Sequence, residues 1–241
     1  KVYFNFLSCY ARDFDPVCKD YPEGCNRYCW GFHSLQIAYN LSNMPEIYRR
    51  LPKEIETPKE DANYIDLLKK LDDRILGFVE EGHGLFICGK SGTGKTMWAC
   101  KLAQSYIKKK AKKVAYRRLV YFVDIVELLF SMKADFGSDD RKKYIEMTES
   151  IKEADLVIWD NVDGPYTDAE RDLLFLLINE RYSNRKAQIF TSLYSLNTLE
   201  KENFLGGQAV DRIRRQSYEV KLLSPFRGRK GKKLPSRGDG K

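Results

Sequence analysis

The chain has 241 residues and 43% hydrophobic content, so it can bury one good-sized core and carry a small module beside it. No stretch approaches the roughly 20 apolar residues of a transmembrane helix, which argues against a membrane protein. The net charge is +8, and residues 225–241 hold seven Lys or Arg residues against one Asp. We therefore predict a basic, disordered tail over residues 227–241. The chain begins at Lys1 without a methionine or a signal peptide, which suggests a trimmed or incomplete N-terminus and a cytosolic protein.

The first thirty-odd residues are rich in potential metal ligands. They contain four of the six cysteines, followed by one histidine: Cys9, Cys18, Cys25, Cys29 and His33. In a reducing cytosol, clustered thiolates stay reactive unless a metal neutralises them, and a short segment without a core gains its folding energy from the ion. We predict a zinc-binding module over residues 1–44 that is held by the four cysteines. Ligation by three cysteines and His33 is an alternative, and four unligated thiols are another.

The rest of the chain alternates between helical and strand patterns. After a helix at Leu35–Leu41, three prolines mark a linker over residues 45–62, and a second helix is predicted at Tyr64–Val79. Short apolar runs then predict strands at Leu85–Cys88, Leu119–Val123, Leu156–Trp159 and Gln188–Thr191. The helical patterns between and after them are Met97–Ile107, Ile125–Met132, Arg141–Lys152, Asp168–Tyr182, Leu196–Asn203 and Val210–Arg215. This alternation predicts an α/β fold with a doubly wound, mostly parallel sheet that binds ligands at the carboxyl ends of its strands.

A complete phosphate-binding motif follows the first of these strands. Its eight residues are Gly89, Lys90, Ser91, Gly92, Thr93, Gly94, Lys95 and Thr96. The glycines let consecutive backbone N–H groups surround phosphate oxygens, and the helix behind them points its positive end at the same charge. Lys95 would reach the β- and γ-phosphates, and the Thr96 hydroxyl would coordinate Mg²⁺. A strand before the motif and a helix after it supply the context that the motif requires, so we predict an ATP site.

A second nucleotide signature is the apolar strand Leu156–Trp159, which is followed directly by Asp160. This is the Walker B arrangement, in which the carboxylate holds Mg²⁺ through water opposite Thr96. A buried strand that ends in Asp is common, but this one comes in the right order and distance after the phosphate loop. We therefore predict that Asp160 and Thr96 together hold magnesium.

The order of these motifs and of three later ones resembles the AAA+ ATPases of the DnaC/DnaI helicase-loader and IstB group. The later motifs are Ile189-Phe190-Thr191-Ser192, Asp211-Arg212-Ile213-Arg214 and Ser224-Pro225-Phe226-Arg227, and the resemblance covers roughly residues 63–229. It implies an AAA+ P-loop NTPase domain over residues 63–226, in which Lys95, Asp160, Arg212 and Arg227 serve catalysis. Arg212 would be the arginine finger that reaches a neighbouring subunit's γ-phosphate, and Arg227 the sensor-2 arginine. The cysteine-bearing extension resembles that of the DnaI-type loaders, whose zinc module grips the replicative helicase.

Two positions depart from the family pattern. Asn161 stands where a Glu usually follows the Walker B Asp, and Leu193 stands where the sensor-1 Asn is expected. A carboxamide cannot accept the proton of the attacking water, and a leucine side chain cannot hydrogen-bond to it. We therefore expect weak ATP hydrolysis, with ATP acting mainly as a slow switch. Asp163 would replace the missing base only if the chain bends after the strand.

The sequence favours an ATP-dependent loader that binds the replicative hexameric DNA helicase, helps place it on single-stranded DNA and self-associates through its ATP sites. Its setting would be a bacterial cytosol, or the host cytosol for a phage-encoded protein. The basic run Lys101–Arg118 is either a solvated helix end or a surface that contacts phosphates. One alternative function is an IstB-like ATPase that regulates DNA transposition. Another is a nucleotide-dependent adaptor that does not hydrolyse ATP.

Overall fold

A computed structural model describes residues 30–49, 51, 58–111, 117–134 and 138–224. Its helices are α1 (Trp30–Leu41), α2 (Ala62–Asp73), α3 (Ile75–Glu80), α4 (Lys95–Lys110), α5 (Ile125–Met132), α6 (Asp139–Glu153), α7 (Asp168–Ser183), α8 (Leu196–Lys201) and α9 (Gly207–Gln216). Its strands are β1 (Gly84–Gly89), β2 (Val120–Asp124), β3 (Leu156–Asp160), β4 (Ala187–Ser192) and β5 (Ser217–Leu222). Within these ranges, no helix is long and apolar enough to cross a membrane.

The five strands form one sheet in the order β2-β3-β4-β1-β5, and every neighbouring pair is parallel. The predicted α/β fold with a parallel sheet is therefore confirmed. The crossovers bring the carboxyl ends of all strands to one edge, where β1 lies between β4 and β5. The loop after β1 consequently emerges beside the ends of β4 and, one strand further, β3.

Helices cover both faces of the sheet, and successive strand residues alternate between two apolar clusters. Leu85 and Ile87 of β1 lie in the cluster that contains residues of α1, α2, α3 and α4. Phe86 and Cys88 lie in the cluster that contains residues of α5, α6, α7, α8 and α9. This arrangement makes the sheet doubly wound, as the alternation of elements predicts.

Residues near the start of the described chain belong to the first of these clusters. Leu35, Tyr39 and Met44 are each at most 1% exposed and are grouped with core residues of α4. The backbone N–H of Phe122 in β2 also donates to the carbonyl oxygen of Ser42 at 2.8 Å. Residues 35–44 are therefore packed on the same sheet as the phosphate-loop helix. The predicted division into residues 1–44, 45–62, 63–226 and 227–241 stays a prediction.

Two elements differ in extent from the sequence prediction. The helix predicted over Tyr64–Val79 is two helices, α2 and α3, because Arg74 between them has φ −98° and ψ +14°. Strand β5 was not predicted, and it forms the edge of the sheet beside β1. It places Leu222 next to Gly89, at the start of the phosphate loop.

Candidate nucleotide-binding site

The predicted phosphate loop connects the end of β1 to the start of α4. Gly89, Gly92 and Gly94 have backbone φ values of +149°, +80° and +90°. Residues other than glycine rarely adopt such positive φ values. A Cβ atom on Gly89 would lie 2.2 Å from the carbonyl oxygen of Leu222 in β5. At Gly92 no atom lies within 4 Å of such a position, so that side of the loop is open. The loop therefore has the curled backbone and the open space that a phosphate needs.

Lys95 begins α4 and is held by the loop itself. Its side chain is only 6% exposed, and Nζ donates to the carbonyl oxygens of Gly89 at 2.8 Å and Lys90 at 3.1 Å. Burial lowers the pKa of the Lys95 amine, while the nearby carboxylates of Asp163 and Asp160 act in the opposite direction. The ammonium group of Lys95 is therefore held against the backbone of the loop, and the charges of two carboxylates act on it.

Asp160 forms a cluster with two threonines at the same edge of the sheet. Its Oδ1 atom accepts hydrogen bonds from Thr191 Oγ1 at 2.6 Å and from Thr96 Oγ1 at 2.8 Å. Burial raises the pKa of Asp160, and these hydrogen bonds and the charge of Lys95 counteract that rise. Thr191 was not among the predicted site residues. Its position at the end of β4, beside β3, is the signal that would have found it.

The chain leaves β3 through a sharp bend at Asn161, whose φ is +58°. Its backbone N–H donates to Thr191 Oγ1 at 3.0 Å, and its carbonyl oxygen accepts from the hydroxyl of Tyr166 at 3.2 Å. Two residues later, Asp163 Oδ2 accepts from the backbone N–H of Leu193 at 2.6 Å. The bend that the sequence prediction required for Asp163 is therefore present. The side chain of Leu193, in contrast, is 45% exposed.

Arg212 lies on α9, outside this cluster. Its Nε atom donates to Asn179 Oδ1 at 2.8 Å, and its guanidinium group lies 5.3 Å from the ring centroid of Tyr182, both on α7. It also forms an ion pair with Asp211 at 2.8 Å. The three partners belong to α7 and α9, so Arg212 is held on a different part of the molecule from the loop that follows β1. Arg227 lies outside the described residues.

The predicted zinc ligands are not described, apart from His33, which is exposed on α1. Cys9, Cys18, Cys25 and Cys29 all lie outside the described residues. Within residues 30–224, where they are described, no group of three or more His, Cys, Asp or Glu residues could hold a metal ion. The zinc site stays a prediction.

The donor set at the loop fits a magnesium nucleotide. Thr96 and Asp160 present a hydroxyl and a carboxylate oxygen that lie 2.8 Å apart, and Mg²⁺ prefers such hard oxygen ligands. The buried ammonium group of Lys95 now rests on carbonyl oxygens of the loop, which is where a phosphate would meet it. The open side of the loop at Gly92 leaves space for the phosphates. Binding by these particular residues remains our prediction.

Comparison with known proteins agrees with this reading of the fold. The family model described as IstB-like ATP binding protein matches residues 41–225. The crystal structure of the DnaC helicase loader superposes with a TM-score of 0.59 at 24% sequence identity, over 74% of this chain and 99% of that chain. That of the DnaI gives 0.57 at 17% identity, over 77% and 95% of the two chains. A comparison with curated protein sequences gave no match.

A third solved structure is that of a candidate primosome component from Streptococcus pyogenes serotype M3. It superposes with a TM-score of 0.58 at 20% identity, over 79% of this chain and 97% of that chain. At such identities the three structures establish a shared fold. The phosphate-loop motif and the family match extend the likeness to nucleotide binding.

Proposed function

Because the chain belongs to the family of IstB-like ATP-binding proteins and has the fold of an AAA+ P-loop NTPase, we propose that it is an ATP-dependent loader of a replicative DNA helicase. In this role it binds the helicase hexamer and helps place it on single-stranded DNA during replication initiation. ATP binding joins neighbouring subunits, and slow hydrolysis resets the assembly.

The observation that carries this proposal is the division of the charged groups between two parts of the molecule. Lys95, Thr96 and Asp160 form one compact cluster behind β1 and β3, whereas Arg212 is held by residues of α7 and α9. An arginine placed in this way can serve the nucleotide of a neighbouring subunit, which supports an active site formed between subunits. The similarity to the DnaC helicase loader over 99% of that chain supports the choice of a helicase as the partner.

Within each subunit, we propose that Lys95 and the backbone N–H groups of residues 89–96 hold the phosphates. Thr96 and Asp160 would hold Mg²⁺, which neutralises phosphate charge when it is bound. Residues 1–44 would form the zinc-binding module that contacts the helicase, and residues 227–241 would add positive charge for DNA.

The second candidate is an ATPase that regulates DNA transposition, which is favoured by the IstB-like description of the matching family. In that case ATP-bound subunits would coat duplex DNA rather than bind a helicase. A nucleotide-dependent adaptor without hydrolysis is the third candidate, and Asn161 and Leu193 favour it. Steady-state ATP turnover with and without single-stranded DNA separates the adaptor from the other two.

The first test mixes the protein with the replicative helicase hexamer of its own replicon and measures the mass by light scattering, in ATP and in ADP. A variant without residues 1–29 tests the cysteine segment while it spares Leu35, Tyr39 and Met44, which belong to the core. Metal analysis of both proteins measures zinc on the same samples. A complex that forms with the full chain and is lost with the variant is expected.

Failure to form a complex in either nucleotide, together with ATP-dependent filaments on duplex DNA, would move the assignment to transposition. A complex that survives the loss of residues 1–29 would place the helicase contact on the ATPase domain instead. Equal zinc content in the two proteins would contradict the zinc module.

A further inference from the structure

The loop after β3 is built to hold one carboxylate in a fixed place. Asn161 turns the chain with φ +58°, and asparagine tolerates this conformation better than most residues because of its short polar side chain. The hydroxyl of Tyr166 then closes the loop by donating to the carbonyl oxygen of Asn161 at 3.2 Å. A Cβ atom on Gly164 would lie 2.6 Å from the Tyr166 ring, so glycine is needed for this closure. Asp163 lies between the bend and the closure.

The register of the sheet locates Asp163 relative to the phosphate loop. Ser192 at the end of β4 is paired with Cys88 of β1, and Leu193 and Gly89 are the residues that directly follow this pair. Asp163 Oδ2 accepts a hydrogen bond of 2.6 Å from the backbone N–H of Leu193. The carbonyl oxygen of Gly89 in turn accepts from Lys95 Nζ at 2.8 Å. The Asp163 carboxylate is therefore anchored one strand away from the residue that holds the phosphate-binding lysine.

Two further observations agree with this location. Among the carboxylates that influence the pKa of Lys95, Asp163 acts more strongly than Asp160. Asp163 is also only half-buried, so the residue keeps some exposure to solvent. Asp160, in contrast, directs its Oδ1 atom to Thr96 and Thr191.

We propose that Asp163 is the catalytic base of ATP hydrolysis in this chain and takes the place of the Glu that Asn161 has replaced. This inference rests on the proposed function, because it assigns a residue within the same nucleotide site. The carboxylate then comes from Asp163, three residues after Asp160, instead of from the position directly after Asp160. The backbone N–H of Leu193 orients that carboxylate, so position 193 contributes through its main chain although its side chain is apolar.

In the step itself, Asp163 accepts one proton from the attacking water. The water oxygen forms a bond to the γ-phosphorus, and the bond between that phosphorus and the bridging oxygen breaks. ADP leaves with the electron pair of the broken bond, and the proton passes from Asp163 to phosphate or solvent. The atoms and charges balance without any other reactant.

The test compares the full chain with Asp163→Asn and Asp163→Glu. Asparagine keeps an acceptor oxygen for the Leu193 N–H but cannot accept the water proton, so turnover should fall by about 100-fold or more. Glutamate keeps the carboxylate and should retain part of the turnover. Asp172→Asn, an isosteric change at an exposed position on α7, serves as the matched control and should leave turnover unchanged.

A binding measurement supplies a readout that does not depend on turnover. A carboxylate near the γ-phosphate repels ATP more than ADP, so Asp163→Asn should increase the affinity for ATP relative to ADP by about three- to tenfold. Fluorescence titration with labelled ATP and ADP measures this ratio for each variant. Asp172→Asn should leave the ratio within about twofold of the parent protein.

The outcomes distinguish this inference from the proposed function. If the parent protein binds neither nucleotide, the proposed function fails. If it binds and hydrolyses ATP but Asp163→Asn keeps full turnover or leaves the ATP-to-ADP ratio unchanged, only the assignment of Asp163 is overturned. A parent protein that binds ATP without measurable hydrolysis also overturns it.

Discussion

The ammonium group of Lys95 is buried before any nucleotide binds, and its hydrogen bonds go to the loop that it would share with the phosphates. Placing this side chain therefore costs no reorganisation at the moment of binding, apart from the exchange of carbonyl partners for phosphate oxygens. Asp160 is prepared in the same way, since Thr96 and Thr191 already satisfy one of its oxygens.

Replacing Lys95 tests whether its buried ammonium group contributes to ATP binding. Lys95→Ala removes a charge-assisted contact worth about 1.5–3 kcal/mol, so the affinity for ATP should fall by about 10- to 100-fold. Lys90→Ala removes an exposed side chain from the same loop and leaves the backbone N–H in place, so it is the matched control and should bind nearly as the parent does. Isothermal titration with ATP measures both, and equal affinities for Lys95→Ala and the parent would remove Lys95 from the site.

Among the single residues of the site, the sequence predicted best those whose type is restricted by phosphate binding. Glycines at positive φ and the lysine and threonine behind them follow a fixed spacing, so the predicted loop residues lie together. Thr191 and Asp163 have no such spacing, because their roles depend on how far β4 and the bend at Asn161 project past the sheet edge. Only the three-dimensional register brings them to the loop.

Among the elements, α7 has the most complete N-terminal cap. The side chain of Thr167 accepts from the backbone N–H of Glu170, and the Glu170 carboxylate accepts in return from the backbone N–H of Thr167 at 2.7 Å. Lys133, just after α5, adds an ion pair of 2.8 Å to the same carboxylate. These contacts lower the pKa of Glu170 from 4.5 to about 2, with the Lys133 interaction the largest cause.

Because the folded-state pKa of Glu170 lies below its unfolded value, its charge stabilises the protein above pH 4.5 and loses this effect as the pH falls toward about 2. Glu170→Gln keeps the capping geometry without the charge and should cost about 1 kcal/mol at pH 7. Urea unfolding at several pH values should show the difference shrinking below pH 4.5. Glu180→Gln is the control on the same helix, because Glu180 forms an exposed ion pair with Lys152 at 3.4 Å. If the loss of unfolding free energy in Glu170→Gln did not change with pH, the expectation would be contradicted.

A buried carboxylate also fixes the chain where it leaves β5. Asp61, which precedes α2 and is 1% exposed, accepts from the backbone N–H groups of Leu223 at 2.8 Å and Ser224 at 3.1 Å. It therefore sets the point from which the chain continues toward Arg227, the predicted sensor-2 residue.

Asp61→Ala should lower the free energy of unfolding by about 1–3 kcal/mol, because two backbone N–H groups lose their side-chain acceptor. Hydrogen exchange should accelerate at Leu223 and Ser224. Glu60→Ala is the control, since Glu60 is exposed and its carboxylate accepts from the side chain of Ser224, at 3.4 Å, rather than from a backbone N–H group of the strand end. Unchanged exchange at both amides would mean that the strand end is held by other contacts.

The strands that the sequence predicted well are those with an uninterrupted run of buried residues. Strand β5 was missed because it mixes charged and exposed residues with its buried ones, Val220 and Leu222, whereas β2 at the opposite edge has four buried residues in a row. The break between α2 and α3 could not be predicted, because residue 74 is an arginine and not a proline or glycine. It depends on how α2 and α3 pack separately against the core.

The molecule as a whole places the nucleotide cluster at the carboxyl edge of the sheet and Arg212 on the α7–α9 side. Arg212 is held by Asn179, Tyr182 and Asp211, so it is oriented even in a single subunit. An arginine that acts on a neighbour's nucleotide must be held in this way, since a mobile side chain would lose entropy at every encounter. The two halves of one active site would then come from different subunits.

This arrangement predicts complementation between two inactive variants. Asp160→Asn lacks the magnesium ligand but keeps Arg212, whereas Arg212→Ala keeps the nucleotide cluster. Each variant alone should be inactive. In an equal mixture, about one quarter of the interfaces would pair an intact nucleotide cluster with an intact arginine. ATP turnover should therefore recover to about a quarter of the parent rate. Arg214→Ala, whose guanidinium instead pairs with Glu200 at 2.8 Å, is the control on the same helix and should stay active alone. A mixture no more active than its components, under conditions in which light scattering shows that they co-assemble, would mean that Arg212 does not act across the interface.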